Sequence, residues 1–268
     1  MTSITHADRK LFLPQLPSKN ISLAIPGISK ESRDTAAELL KQSHVKYHCF
    51  FNEKGFHTHL AHGVLAAYSF GARPDRLREI YEYHAASQLP IGSVEKVFTQ
   101  SDWKSGLGDR KYYASYLEFF QNEVKLLGRV AAFGRYALDP DMIARSFSGA
   151  FHPLIHMGYG FDFEVDGVFA QGLAMAAVTS TLMAPFVVRP ANAVEKVTAK
   201  VATQLSLSKS ADTPKTIVDI LTNIREDHDL DNVLDYSMNN KTMEAAKQEK
   251  VIAKIQQSTS AWDVAGIL

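Results

Sequence analysis

The chain has 268 residues, 46% hydrophobic and 22% charged, enough for one large folded domain or two small ones. Its 29 Lys and Arg balance 29 Asp and Glu, so no net field favours nucleic acid or an anionic membrane. A single cysteine, Cys49, excludes an intrachain disulfide and a thiolate cluster, while ten histidines leave imidazole and oxygen as the ligands for any metal.

Residues 1–28 carry Pro14, Pro17, Pro26 and Gly27 and read as an extended arm, with no apolar core of a signal peptide. With the sparse cysteine, this points to a reducing, cytoplasmic location. A helical core is expected over 29–190. Ser29 or Ser32 can cap its first helix, which runs through Ala36, Leu39 and Leu40 toward His44. A second helical pattern follows Gly55 and stops at Gly71. Pro74 opens a third, with Leu77, Ile80, Tyr81 and His84 at helical spacing.

From Pro90 to Arg110 the chain is looser, and Gly106-Leu107-Gly108-Asp109 reads as a turn. Lys111 to Leu127 returns to helical periodicity, and Asp139-Pro140-Asp141 reads as a helix start. From Gly167 to Val188 there is no charge, a length that could cross a bilayer. Gln171, Thr179, Ser180, Thr181 and Pro185 make it only mildly apolar, so a buried core helix is the expectation and a membrane span is disfavoured.

Residues 191–268 form a polar helical segment. Ile217, Ile220, Leu221 and Ile224 make one face of a short helix with Pro214 near its start, and Asn239–Ile255 reads as a solvated helix. Strand-like alternation is scarce. The expected fold is mostly α, a single helical-bundle-like domain with a metal and substrate site between helices.

Two histidine strings carry the chemistry. In Phe56-His57-Thr58-His59-Leu60-Ala61-His62, His59 and His62 are three apart and reach one point from a shared helical face. In His152-Pro153-Leu154-Ile155-His156, the two histidines are four apart, and Pro153 belongs at a helix start. Two helices each offering two imidazoles would build a four-histidine site inside a bundle. The bland reading is that each is a hydrogen-bonded core histidine. His44, His48 and His84 read as structural, and His6 and His228 as surface residues.

Other catalytic signatures are missing from the sequence: there is no His-Glu-x-x-His, no Gly-x-Ser-x-Gly and no Walker loop. Gly106-x-Gly108 and Gly158-x-Gly160 lack the third glycine of a dinucleotide fold, so no Rossmann-bound flavin is expected.

The string His57-x-His59-x-x-His62, followed by Leu65-x-x-Tyr68-x-x-Gly71-Ala72, resembles the N-terminal signature of the questin oxidase-like family. His152-Pro153-x-Ile155-His156-x-Gly158-Tyr159-Gly160, with the aromatic-acid run ending in Glu164, is similar to that family's second signature. The resemblance implies an α-helical oxidoreductase of fungal secondary metabolism. Its substrates would be anthraquinone-like aromatic polyketides, opened with dioxygen by a Baeyer–Villiger-type or dioxygenase-type reaction. It implies NADPH dependence in some members, and in others a non-heme iron held by four histidines and a carboxylated lysine.

By that pattern His59, His62, His152 and His156 are the candidate iron ligands, with His57 in reserve. Phe56, Tyr68, Tyr159, Phe161 and Phe163 are candidate walls for a flat substrate, and Tyr159 is the candidate catalytic residue. Position 63 is Gly where family members often carry another histidine. The family's proteins are longer, the resemblance covers their N-terminal part, and the lysine ligand is expected from the region beyond. Two other readings compete: a catalytically silent binder of an aromatic ligand or partner chain, and a zinc-dependent hydrolase or zinc-stabilised structural protein. A homodimer is expected if the Gly167–Val188 segment leaves its apolar surface exposed.

Overall fold

A computed structural model describes residues 5, 10–15, 28–186, 216–235, 237–238 and 241–260. It divides the chain into two compact units, Met1–Thr181 and Leu182–Leu268. Both are helical. Among the described residues the β structure amounts to two isolated bridges, Tyr47 with Pro90 and Phe50 with His57.

The first unit begins with α1 (Lys30–Lys46), and both expected capping serines act. The Ser29 side chain accepts from Ser32 N–H at 3.0 Å, and Ser29 N–H donates back to Ser32 Oγ at 2.9 Å. α2 (Leu60–Ser69) and α3 (Pro74–Ala85) pack on α1 and on each other. Leu39, Leu40, Leu60, Val64, Leu65, Leu77 and Tyr81 close this half of the core. Phe12, in the expected arm, is buried there too, edge-on to His44 at 4.9 Å.

The other half of the unit contains α4 (Tyr113–Leu127), α5 (Arg129–Ala132), α6 (Ile143–Phe147), α7 (His152–Asp162) and α8 (Asp166–Val178). α8 is its axis. Every residue from Gly167 to Val178 is buried, and the helix packs most extensively against α7 and α4. A helix apolar on all sides needs neighbours on all sides, and α8 finds them within its own unit. Over residues 167–178 the expected exposed apolar surface is therefore absent. No described helix is long and apolar enough to cross a membrane.

Other local expectations are corrected as well. α2 starts at Leu60, well after Gly55, because residues 56–58 pair with the chain at 49–51. Thr58 N–H donates to Cys49 O at 2.8 Å, and Phe51 N–H to Phe56 O at 2.9 Å. Asp139-Pro140-Asp141 forms a turn. Asp139 O accepts from Met142 and Ile143 N–H, both at 2.9 Å, and only the five residues of α6 follow.

In the second unit, α9 (Ile217–Glu226) is capped reciprocally by Thr216 and Asp219. Of its expected apolar face only Ile220 is buried, while Ile217 and Leu221 are exposed. The helix expected over Asn239–Ile255 is two, α10 (Lys241–Ala245) and α11 (Glu249–Ser260), and Ala245 and Val251 are buried. Pro214 and residues 187–215 lie outside the described residues.

Candidate functional site

The starts of α2 and α7 meet, and five histidines come together there. His62 is the third residue of α2, and His59 is the residue just before that helix. His152 and His156 are the first and fifth residues of α7, whose second is Pro153, the position where its missing N–H costs nothing. His152 is thus the first residue of the helix that Pro153 was expected to start.

The nitrogens meet in two pairs. His59 Nε2 and His152 Nε2 are 2.6 Å apart, and His62 Nε2 and His156 Nδ1 are 2.9 Å apart. The first pair faces outward, with His59 exposed and His152 half-buried, while His62 and His156 are buried. Rings link the pairs: His59 and His62 have centroids 6.0 Å apart, and His62 and His152 6.4 Å. His57, the reserve candidate, is drawn in as well, stacked on His152 at 5.5 Å with an 11° tilt. The bridge that keeps 56–58 extended aims it there.

Burial keeps the His57, His62 and His156 rings neutral. It pushes the pKa of His62 down to about 2, His57 to about 3 and His156 to about 4, from an ordinary 6.5. Neighbouring imidazoles add to the effect at His62 and His57. His59 is lowered too, by burial first and then by His152. Neutral imidazoles present lone pairs, the form that binds metals.

Three of the rings are oriented by protein acceptors. His152 Nδ1–H donates to Gly149 O at 2.6 Å, which leaves Nε2 bare toward His59. Thr179 Oγ1 donates to Met175 O at 2.7 Å and accepts from His57 Nε2–H at 2.9 Å. His156 Nε2 lies 3.4 Å from Gln171 Oε1. A hydrogen bond behind each ring is the usual support of histidine ligands. The donor chemistry suits a metal that takes imidazole nitrogen. The nitrogens meet pairwise, and among the described residues no group of three or more His, Cys, Asp or Glu is arranged to hold an ion.

The turn before α7 is strained. Gly149, Ala150 and Phe151 have φ of 59°, 53° and 64°, three successive residues in the left-handed region. At Gly149 the reason is visible: a Cβ there would lie 2.2 Å from His57 Cε1. Gly63 similarly leaves room for His84, whose Nε2 would be 3.1 Å from a Cβ at that position.

The aromatic candidates divide. Tyr159, half-buried, stacks on His62 at 4.9 Å and 16°, and Phe163 stacks behind it at 5.9 Å and 5°. Phe56 is exposed beside His57 and packs against Phe51 at 6.2 Å. Tyr68 lies instead in the α1–α3 core, 1% exposed. Phe161 packs edge-on to Phe169 at 4.9 Å and Phe133 at 5.7 Å, in the opposite half. These two are packing residues with no ring contact to the histidines. The sequence reading missed the supporting roles of Gly149, Gln171 and Thr179. The detectable signal was a lone amide in an uncharged helix, which must find a partner when buried.

Comparison with known proteins supplies the family. The questin oxidase-like family model matches residues 56–266. A Baeyer-Villiger oxidase of Pestalotiopsis fici is 32% identical over 158 residues, 55% of this chain and 36% of its own length. A Baeyer-Villiger monooxygenase of Aspergillus aculeatus is 34% identical over 163 residues, 57% of this chain and 34% of its own. The questin oxidase of Aspergillus fumigatus is 30% identical over 154 residues, 54% and 35% of the two chains. The chain thus spans about a third of the length of the curated relatives it matches. The family match covers most of the sequence and both histidine strings, and the chain belongs to the questin oxidase-like family.

Proposed function

We propose that this chain carries the histidine centre of an oxidoreductase that opens anthraquinone-like aromatic polyketides with dioxygen in fungal secondary metabolism. The observation that carries the reading is the meeting of four imidazoles as two nitrogen pairs, His59 with His152 and His62 with His156. His59, His62 and His152 would hold a non-heme iron through Nε2, and His156 through Nδ1. When bound, the iron supplies the redox activation of dioxygen. NADPH is the reductant proposed for a monooxygenase outcome, and a dioxygenase outcome needs none.

The remaining work falls to the protein. Gly149 O and Thr179 Oγ1 each hold one ring in a single tautomer, so its lone pair is already aimed. Burial of His62 and His156 excludes water on one side, while the exposed His59 leaves the other open to a planar substrate. Tyr159 supplies a flat phenol against His62, and Phe56 an exposed ring at the rim. The relatives' names, Baeyer-Villiger oxidase and questin oxidase, support the reaction class.

Elemental analysis of untagged protein tests the centre directly. Near-stoichiometric iron is expected in the wild type, and its loss in His152→Ala/His156→Ala. Oxygen consumption with an anthraquinone, with and without NADPH, then separates the two reaction types. A wild type that binds no iron even after anaerobic loading would sink the reading, and one that retains only zinc would point to a hydrolytic or structural site.

A further inference from the structure

We propose that Gln171 is a positioning residue of the histidine centre: its carboxamide oxygen accepts the Nε2–H of His156 and turns a bare Nδ1 toward His62. The two side chains belong to α7 and α8, and both are buried, at 1% and 4% exposure. Gln171 Oε1 lies 3.4 Å from His156 Nε2, and on the ring's other side Nδ1 is 2.9 Å from His62 Nε2. A carboxamide oxygen can only accept, so its partner nitrogen must carry the proton and the opposite one must not. At 3.4 Å the contact is loose, and its worth lies in deciding which nitrogen is protonated.

Two further observations support the choice of a glutamine here. From Gly167 to Val178, Gln171 is the one residue with a polar side chain, in a helix apolar on all sides. A buried amide costs free energy unless it is bonded, so an apolar side chain would serve packing better. The Tyr113 hydroxyl of α4 also interacts with the same carboxamide. Neighbouring Gly172 holds the register: a Cβ there would lie 2.6 Å from Met157 Cγ and 2.8 Å from Met157 N. The backbone beside His156 and the backbone beside Gln171 are therefore in direct contact.

The effect on metal affinity rests on the metal-centre reading, but the tautomer does not. The test is nitrogen-detected tautomer assignment by NMR on the metal-free chain with isotope-labelled histidine, near neutral pH. His156 is expected as the Nε2–H form in the wild type and in Gln171→Glu, which keeps the acceptor. Gln171→Met keeps the volume without the acceptor, and there the preference is expected to disappear. An Nδ1–H tautomer in the wild type, or an unchanged tautomer in Gln171→Met, overturns the proposal. In the same samples, cobalt(II) titration is expected to show binding weakened about 10–100-fold in Gln171→Met and restored in Gln171→Glu. Equal cobalt affinity in wild type and Gln171→Met would overturn the positioning role. A wild type that binds no metal but shows the expected tautomers would refute the metal centre and leave Gln171's role at His156 intact.

Discussion

Tyr159 lies almost parallel to His62, ring centroids 4.9 Å apart and planes 16° apart, one helical turn beyond His156 on α7. The phenol thus braces a buried imidazole from α2 and is itself backed by Phe163. The contact is made by the ring, so two variants separate bracing from chemistry. Tyr159→Ala should destabilise by about 2 kcal/mol, less than a fully buried aromatic because the residue is half-exposed. Tyr159→Phe should unfold at the wild-type denaturant midpoint. A fall in turnover in Tyr159→Phe at unchanged stability would give the hydroxyl a catalytic role, and unchanged turnover in that variant would leave Tyr159 as a wall.

Gly149 and Ala150 share a left-handed backbone, yet opposite substitutions should have opposite signs. Gly149→Ala drives a Cβ to within 2.2 Å of His57 Cε1, so His57 must leave its place against His152 and Thr179. A loss of about 1–3 kcal/mol is expected, together with a displaced His57 resonance. Ala150 is exposed at φ 53°, so Ala150→Gly removes the left-handed penalty and should raise stability by up to about 1 kcal/mol. Thermal melts of both variants check the pair; a stabilising Gly149→Ala would contradict the tight approach to His57.

Close contact between α7 and α8 sets the depth of the site. A Cβ at Gly160 would lie 2.6 Å from both Cα and N of Phe169, and backbone cannot yield as a flexible side chain can. Gly160→Ala should therefore cost about 1–3 kcal/mol and push apart the helices that carry His156 and Gln171. A Cβ at Gly158 would meet nothing within 4 Å, and Gly158→Ala should be neutral or slightly stabilising through helix propensity. Denaturant midpoints of the two variants make the comparison, and equal midpoints would refute the packing argument.

Much of this arrangement could be read from the residues. Ser29, Gly71 and Pro74 marked helix ends because caps, left-handed stops and first-turn prolines act locally. The uncharged run from Gly167 announced the burial of α8 in the same way. The i, i+4 spacing of His152 and His156 was visible too, but not which ring nitrogen each would present. That depends on Gly149 O and Gln171, and the Gln171 contact crosses between helices. His57 was held in reserve as a residue on the turn before the His59 and His62 pair. The long-range pairing of 56–58 with 49–51 delays the start of α2, and no local pattern reveals it. That Tyr68 and Phe161 pack away from the histidine rings was hidden for a related reason: aromatic spacing does not say which side of a helix meets the core.

His44, outside the cluster, gives the fold a separate dependence on pH. It is buried against Phe12, with Nε2 2.7 Å from Gln121 Oε1 of α4, and burial lowers its pKa from 6.5 to about 4 although that bond opposes the shift. The unfolded chain therefore binds a proton at His44 before the folded one does. Its contribution to stability is complete above pH 6.5 and is lost progressively as pH falls toward about 4. The buried cluster histidines act in the same direction, so the wild type alone cannot isolate His44. His44→Leu keeps the apolar contact with Phe12 and removes the titration. Its denaturation midpoint should fall less than that of the wild type across this window, and parallel pH profiles would show that His44 is not held neutral by the fold.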